Sequence, residues 1–301
     1  MDRSWKNYIE NKKLFLERQQ IIDSNSNIFT AGSCFAVEIR KELRIKKYKI
    51  FPDYFSVNFN RNNSVIGSLP KRDNINHYNT YSILYEFMRF HKRFQQDKND
   101  FWKVKDLWFN GSTAFQDPYR RAIFSKNPEE LHKTIHAIDE IIYKSLNLCE
   151  VYVFTLGMTE VWKKKNNNKV ACMNPGYASG GGFDETFFYA SSYEDNYNNL
   201  REIIKLSKKI NKNINIIFTV SPVPLGQTFR KVDVVIANEE SKAILRSAVA
   251  EVIKEFNNVY YFPAYEYCRY STNPYLEDGR HIKPDIIKNI VNMFEHTFIK
   301  K

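Results

Sequence analysis

Asn27-Ile28-Phe29-Thr30-Ala31-Gly32-Ser33-Cys34-Phe35-Ala36-Val37-Glu38 decides how the chain is read. A short apolar run meets a turn of small residues carrying a serine, and Phe35, Ile39 and Leu43 then recur at intervals of four, the spacing of one helical face. The stretch predicts a strand, a sharp turn and a helix. Ser33 would stand at the carboxyl end of the strand and the amino end of the helix, where outward-facing N–H groups favour negative charge. That is the placement of a nucleophile. A plain turn and N-cap calls for the same residue types, so the local pattern alone leaves both readings open.

Outward from this stretch, strands and helices alternate. Residues 48–60 are β-prone, with Pro52 as an interruption, and Glu150–Gly157, Ile214–Val220 and Val259–Phe262 read as further strands. A short helix is expected over Lys12–Gln20. Another begins near Thr80, with Ile83, Leu84, Phe87, Met88 and Phe94 on one face. Asn127-Pro128-Glu129-Glu130 opens a helix to about Asn147, because an Asn cap, a Pro in the first turn and early acids all favour a start there. Ser192-Tyr193-Glu194-Asp195 has the capping-box form and starts a helix to Ile210, and Glu239–Phe256 and Pro284–Phe298 complete the series. This alternation predicts an α/β fold, a three-layer sandwich with a central parallel sheet flanked by helices. One domain over 1–301 is expected, with 1–26 as a leading segment and 100–125 and 163–190 as insertions. The first insertion is rich in aromatics (Trp102, Trp108, Phe109, Phe115, Tyr119), which serve a lid, a substrate wall or a core-covering loop equally well.

Ligands of such a sheet gather at the carboxyl ends of its strands. Ser33, Gly157-Met158-Thr159-Glu160, Ser221-Pro222 and Asp278-Gly279-Arg280-His281 all fall there. A serine hydroxyl needs a base to take its proton, and histidine does so when a carboxylate fixes its tautomer. His281 is the candidate base and Asp278 the orienting carboxylate.

Gly32-Ser33-Cys34-Phe35-Ala36 also spells the signature of the GSCFA family, a bacterial group that resembles a branch of the SGNH (GDSL-like) hydrolases. In those enzymes the serine ends the first strand, and a histidine near the C-terminus follows an aspartate by three positions, as His281 follows Asp278. The resemblance spans about residues 27–290. It implies an SGNH-like fold, a catalytic Ser33–His281–Asp278 set, and an oxyanion hole made by the Ser33 N–H with donors from two further blocks. Gly157 and Thr159 occupy the third block, with Thr standing where the group has Asn. For the second block Gly67 and Asn79 lie in the right interval, and Asn79 is preferred. Gly32 stands where the parent group has Asp. Cys34 stands where it has leucine, which points the thiol into the core and away from the nucleophile's role.

Composition bounds the function. With 43% hydrophobic and 15% aromatic residues, the chain is too apolar to be disordered. Its net charge of +11 comes from lysines scattered over many segments, which suits a solvated surface better than a nucleic-acid footprint. Four cysteines without CxxC spacing suggest reduced thiols and no zinc site. His132 and His136 share a helix face but have no apparent third ligand, so no metal is expected. Lys242 and Arg246 read as a solvated face of their helix, and Glu160 as the partner of some neighbouring cation. No stretch is long and apolar enough to span a bilayer, and the expected location is the cytoplasm. The expected function is serine-dependent transfer of an O-acyl group, O-acetyl above all, to or from a carbohydrate: a polysaccharide or glycan-precursor O-acetyltransferase, with acetyl-CoA as donor and no bound cofactor. An O-acetylesterase and a non-catalytic glycan-binding or assembly protein are the alternatives. The expected partners are a glycan substrate and polysaccharide-synthesis enzymes, with no nucleic acid.

Overall fold

The computed structural model describes residues 3–11, 13–57, 75–105, 113–121, 123–176 and 182–300. After a short helix α1 (Trp5–Asn11), strand β1 (Asn27–Gly32) passes through Ser33 into α2 (Cys34–Ile45), as residues 27–38 predict. Strand β2 (Lys49–Phe51) and helix α3 (Thr80–Phe90) follow. Three short strands, β3 (Trp102–Lys105), β4 (Thr113–Gln116) and β5 (Phe124–Ser125), precede helix α4 (Pro128–Leu148) and strand β6 (Val151–Leu156). Next come β7 (Glu160–Lys164), β8 (Thr186–Ala190), α5 (Tyr193–Ile210) and β9 (Asn215–Val220). The chain closes with α6 (Val234–Glu255), β10 (Val259–Tyr261), α7 (Ala264–Arg269) and α8 (Pro284–Phe298).

Five strands form one parallel sheet in the order β10-β9-β6-β1-β2. The period-two alternation of strand side chains divides its core between two faces. Phe29, Tyr152, Phe154, Ile216 and Phe218 pack beneath α3, α4, α5 and α6. Ile28, Ile50, Val151, Val153 and Ile217 pack beneath α2, α7 and α8. Burying a side chain such as Phe154 or Phe218, both inaccessible to solvent, contributes about 1.5–3 kcal/mol relative to leaving it in water. The result is the α/β sandwich the sequence predicts. Its chain order reverses between β1, which leads outward to β2, and β6, which leads outward to β9. A crevice opens at such a reversal, outside the carboxyl ends of the two strands. Ser33 follows β1 there, and Gly157 follows β6.

The caps read in the sequence recur in the structure. Asn127 Oδ1 accepts the Glu130 N–H at 2.8 Å, and Ser192 and Asp195 form a reciprocal capping box. Four expectations need correction. Among the described residues, the strand expected over 48–60 is confined to Lys49–Phe51, and Tyr54–Ser56 form a 3-10 turn in which Asp53 accepts the Phe55 N–H. The first helix lies at 5–11, where the Ser4 hydroxyl accepts the Asn7 N–H. The stretch expected to be helical instead runs alongside α8, with Gln19 N–H bonded to Thr297 O at 2.7 Å. Phe94 lies beyond the end of α3 and packs on the Tyr85 ring at 4.5 Å. Helix α6 starts five residues early, capped by the Asp233 carboxylate on the Val235 N–H.

Of the two stretches expected as insertions, the first, 100–125, holds a small antiparallel sheet, β3-β4-β5, and the second, 163–190, holds β8 and the end of its antiparallel partner β7, which starts earlier, at Glu160. Trp102 and Tyr119 are each 1% exposed, so these two aromatics serve a core. Trp108, Phe109, Gly67, Gly180 and Gly181 lie outside the described residues, as does the end of the 48–60 stretch. Among the described residues, no helix is long and apolar enough to cross a membrane.

Candidate active site

At the end of β1 the backbone turns sharply. Gly32 has φ 148°, and a Cβ there would stand 2.3 Å from the Thr155 carbonyl oxygen on β6. No side chain fits, which accounts for glycine at this position. Ser33 follows as the N-cap of α2, but its side chain makes no capping bond. Its Oγ instead lies 3.0 Å from the Ser221 Oγ, beyond the end of β9. The site is tightly framed. Segment 75–79 lies across the strand ends, with His77 N–H on Gly32 O at 2.7 Å and Met158 N–H on Tyr78 O at 2.9 Å. A Cβ on Gly157 would come within 2.5 Å of Tyr78 O and 3.3 Å of the Ser33 Cβ. Only glycine lets this segment cross so close to the serine.

Asp278 and His281 share one tight turn. Asp278 Oδ1 accepts the N–H groups of Arg280 and His281, each at 2.9 Å, while its Oδ2 pairs with His281 Nδ1. The His281 hydrogen bond, with those two N–H bonds, holds the Asp278 carboxyl well below the ordinary carboxylate range. Such a pair fixes the imidazole with Nδ1 toward the carboxylate and Nε2 outward. His281 lines a cavity of about 490 Å³ together with Cys34, Asn76 and Arg121. Its apolar side is made by α2, Val223, Leu276 and the start of α8. His281 therefore shares this cavity with the residue next to Ser33. No hydrogen bond joins His281 to Ser33 among the described residues, and catalytic hydrogen bonds often tighten only once substrate is bound.

The four residues expected to form the oxyanion hole are placed differently from one another. The Ser33 N–H donates to Thr155 O at 3.1 Å and is not directed at the crevice. Asn79 caps α3: its Oδ1 accepts the Ser82 N–H at 2.9 Å, and its amide donates to Ala171 O and Cys172 O. With both groups engaged, neither is open to a ligand in this arrangement. Thr159 is buried, and its N–H donates to the Ser241 hydroxyl at 2.9 Å. Among the described residues, no hydrogen bond engages the Thr159 hydroxyl or the N–H groups of Gly157 and Cys34. Of these, Gly157 packs against the Ser33 side chain and Cys34 directly follows it in the chain.

The match to known proteins begins at this same first strand. The GSCFA family model covers residues 27–294, from β1 into the last helix. The chain belongs to the GSCFA family. No curated protein matches it. Among solved structures it is similar to a Clostridium thermocellum family 3 carbohydrate esterase, with 12% identity, TM-score 0.37, and 90% of this chain and 93% of that one covered. It is also similar to a mutant acetyl esterase with an acetate ion, with 8% identity, TM-score 0.36, and 92% and 93% covered. Likenesses this distant carry no functional weight.

In this GSCFA protein, one residue that matters lies elsewhere than its sequence context suggests. Lys242 is not on a solvated face: it is 2% exposed, and its Nζ donates to Gly157 O at 2.7 Å and Val223 O at 3.0 Å. Burial pushes its pKa down to about 7, with Cys34 and Glu239 opposing the shift and Arg280 adding to it. The signal is present in α6, where Asn238, Ser241, Leu245, Val249 and Val252 mark the buried stripe and Lys242 falls within it. Arg246 does lie at the surface, on Glu266 at 3.1 Å. Glu160 forms no close ion pair among the described residues, though its charge acts on Arg230; it accepts the Thr228 hydroxyl at 2.6 Å and the Phe229 N–H at 3.1 Å, and so anchors the loop after β9. Cys34 is half-buried and lines the cavity, while Phe35 takes the core position. Burial raises the Cys34 thiol pKa against the opposing pull of Arg121, Arg280 and Lys242. Among the described residues, no group of three or more His, Cys, Asp or Glu side chains is arranged to hold a metal ion.

Proposed function

We propose that this protein is a serine-dependent acyl-transfer enzyme that works on O-acyl, chiefly O-acetyl, groups of a carbohydrate. The observation that carries this reading is the placement of Ser33 at the sheet's reversal point, beside a cavity that receives the Asp278-oriented His281. Ser33 Oγ attacks the acyl carbonyl carbon as His281 Nε2 takes its proton, and Asp278 stabilises the imidazolium through Nδ1. The carbonyl oxygen becomes an oxyanion, for which the Gly157 and Cys34 N–H groups and the Thr159 hydroxyl are the donors. Each such donor contributes on the order of 3 kcal/mol to lowering the barrier. Collapse expels the leaving group, which receives the proton from His281. An acceptor hydroxyl then yields its proton to His281 and attacks the acyl-serine; collapse breaks the bond to Ser33 Oγ, which takes the proton back from His281 as the acylated product leaves.

With a sugar hydroxyl as acceptor and acetyl-CoA as donor, the enzyme is a carbohydrate O-acetyltransferase. A second reading, carbohydrate O-acetylesterase, has one observation in its favour: the His281 side chain is 57% exposed, so water reaches the base. The deciding experiment supplies radiolabelled acetyl-CoA with a panel of oligosaccharides, and in parallel follows acetate release from acetylated sugars. Label on the sugar supports transfer, and acetate release without it supports hydrolysis. Sugar binding with neither reaction, unchanged in Ser33→Ala, points to a non-catalytic glycan-binding protein and overturns the acyl-transfer reading.

A further inference from the structure

Two buried groups beside Ser33 have no part in the triad chemistry. Ser221, 1% exposed, sits 3.0 Å from the Ser33 Oγ, and its own Oγ accepts the Val223 N–H at 3.3 Å. Lys242 donates to the Val223 carbonyl on one side and to the Gly157 carbonyl on the other. Gly157 in turn packs against Ser33, since a Cβ on it would lie 3.3 Å from the Ser33 Cβ. The contacts close a ring: Ser33, Ser221, Val223, Lys242, Gly157 and back to Ser33. Three separate stretches of chain meet in it, the ends of β1, β6 and β9, and one lysine from α6 ties two of them together. No carboxylate is hydrogen-bonded to that lysine among the described residues. Two carbonyls are its only hydrogen-bond partners there, and a buried amine that serves only to fill space is costly to desolvate.

On the basis of the acyl-transfer reading, we propose that Ser221 and Lys242 are positioning residues that hold the Ser33 nucleophile for attack. At rest the Ser33 hydroxyl donates to Ser221 Oγ, which also accepts the Val223 N–H; on substrate binding the Ser221 hydroxyl turns to donate to the Ser33 Oγ. The Ser33 proton is then left for His281 Nε2, and the Ser221 bond strengthens as negative charge develops on the Ser33 oxygen. Lys242 fixes the 221–224 turn through Val223 O, so that Ser221 keeps this orientation. Through Gly157 O it fixes the glycine whose N–H faces the oxyanion. The nucleophile and one oxyanion donor are thus set by one side chain.

The test measures inactivation by a fluorophosphonate, and kcat and KM with p-nitrophenyl acetate, for wild type, Ser221→Ala, Ser221→Thr, Lys242→Met and Ser221→Ala/Lys242→Met. Rates are normalised to the folded fraction seen by circular dichroism. Ser221→Ala is expected to slow inactivation and lower kcat by about tenfold, the rate equivalent of one hydrogen bond, with KM within about twofold. Ser221→Thr, which keeps the hydroxyl, recovers most of the rate. Lys242→Met shows the same kcat-selective loss, and the double variant loses less than the product of the single losses, as expected of groups that act as a unit. A Ser221→Ala enzyme that reacts like a labelled wild type overturns the proposal, as does a loss confined to KM or a fully multiplicative double variant. A wild type that neither reacts with the fluorophosphonate nor turns over ester overturns the acyl-transfer reading itself, and the positioning role with it.

Discussion

The hydroxyl oxygens of Ser33 and Ser221 lie 3.0 Å apart although 188 positions separate them in the chain. Parallel pairing produces this meeting. Gly32 is level with Thr155, and Thr155 with Thr219, so the residues that follow β1, β6 and β9 arrive together at one edge of the sheet. Ser33, Gly157 and Ser221 are neighbours because of that register.

Thr159 and Asn79 separate a chemical role from a structural one. Thr159→Val removes a hydroxyl at nearly constant shape, and is expected to lower kcat by about a hundredfold if that hydroxyl serves the oxyanion. Asn79→Ala removes the cap of α3, and is expected to cost about 1 kcal/mol of stability with a smaller effect on the folded enzyme's turnover. Ester kinetics alongside denaturant unfolding distinguish the two.

Asp278 stands on an exposed turn, so its loss should be felt in catalysis far more than in folding. Asp278→Asn leaves a neutral amide that no longer fixes the imidazole tautomer, and kcat should fall by about a hundredfold or more. The midpoint of thermal unfolding should stay within a few degrees of wild type. Kinetics and a melting curve on the same preparation check both parts.

Lys242 makes stability depend on pH in a defined direction. Its folded pKa of about 7 lies below its ordinary 10.5, so between these values the unfolded chain binds a proton that the folded protein has released. Stability therefore rises with pH across that window. A tenfold difference in proton affinity between the folded and unfolded chains is worth about 1.4 kcal/mol. Relative to Lys242→Met, wild type should accordingly gain a few kcal/mol as the pH is raised from about 7 to about 10. The titratable groups that act on the amine, Cys34, Glu239 and Arg280, are present in both proteins. Urea unfolding at several pH values measures the difference, and a flat difference would contradict the assignment.

Glu86 holds the segment that crosses the strand ends. Its buried carboxylate pairs with Arg120 and lies 2.8 Å from His77 Nε2, while Arg120 also reaches Asp139. Burial pushes the Glu86 carboxyl up, but Arg120 and His77 outweigh it and hold it well below its ordinary value. Glu86→Ala leaves the Arg120 charge buried with a reduced set of partners, and should cost about 3–5 kcal/mol. Because the carboxyl is held low, its contribution is complete above its ordinary pKa of 4.5 and is lost as the pH falls below that. The advantage of wild type over Glu86→Gln should shrink accordingly in acid unfolding.

The sheet can be read from the sequence because its strands announce themselves twice: as apolar runs such as Val151–Leu156, and as the turn residues that close them. Helix caps are equally visible, since Asn127 and Ser192 act on N–H groups three residues away. The candidate base and its carboxylate also fall within four consecutive residues. What escapes depends on contacts remote in sequence. Asn79 looks like a free amide until the carbonyls of Ala171 and Cys172 are seen to take its hydrogens. Lys242 looks like a surface lysine unless its place on the buried stripe of α6 is given more weight than its charge. Cys34 reads as a core residue by analogy with an apolar position, but the turn of α2 gives that place to Phe35.

The most direct test of a serine nucleophile is intact-mass analysis after fluorophosphonate treatment of wild type, Ser33→Ala, Cys34→Ala and His281→Ala. One adduct on wild type and on Cys34→Ala, with none on Ser33→Ala or His281→Ala, is the expected result. An unlabelled wild type, or an adduct that persists in Ser33→Ala, would contradict the assignment of Ser33.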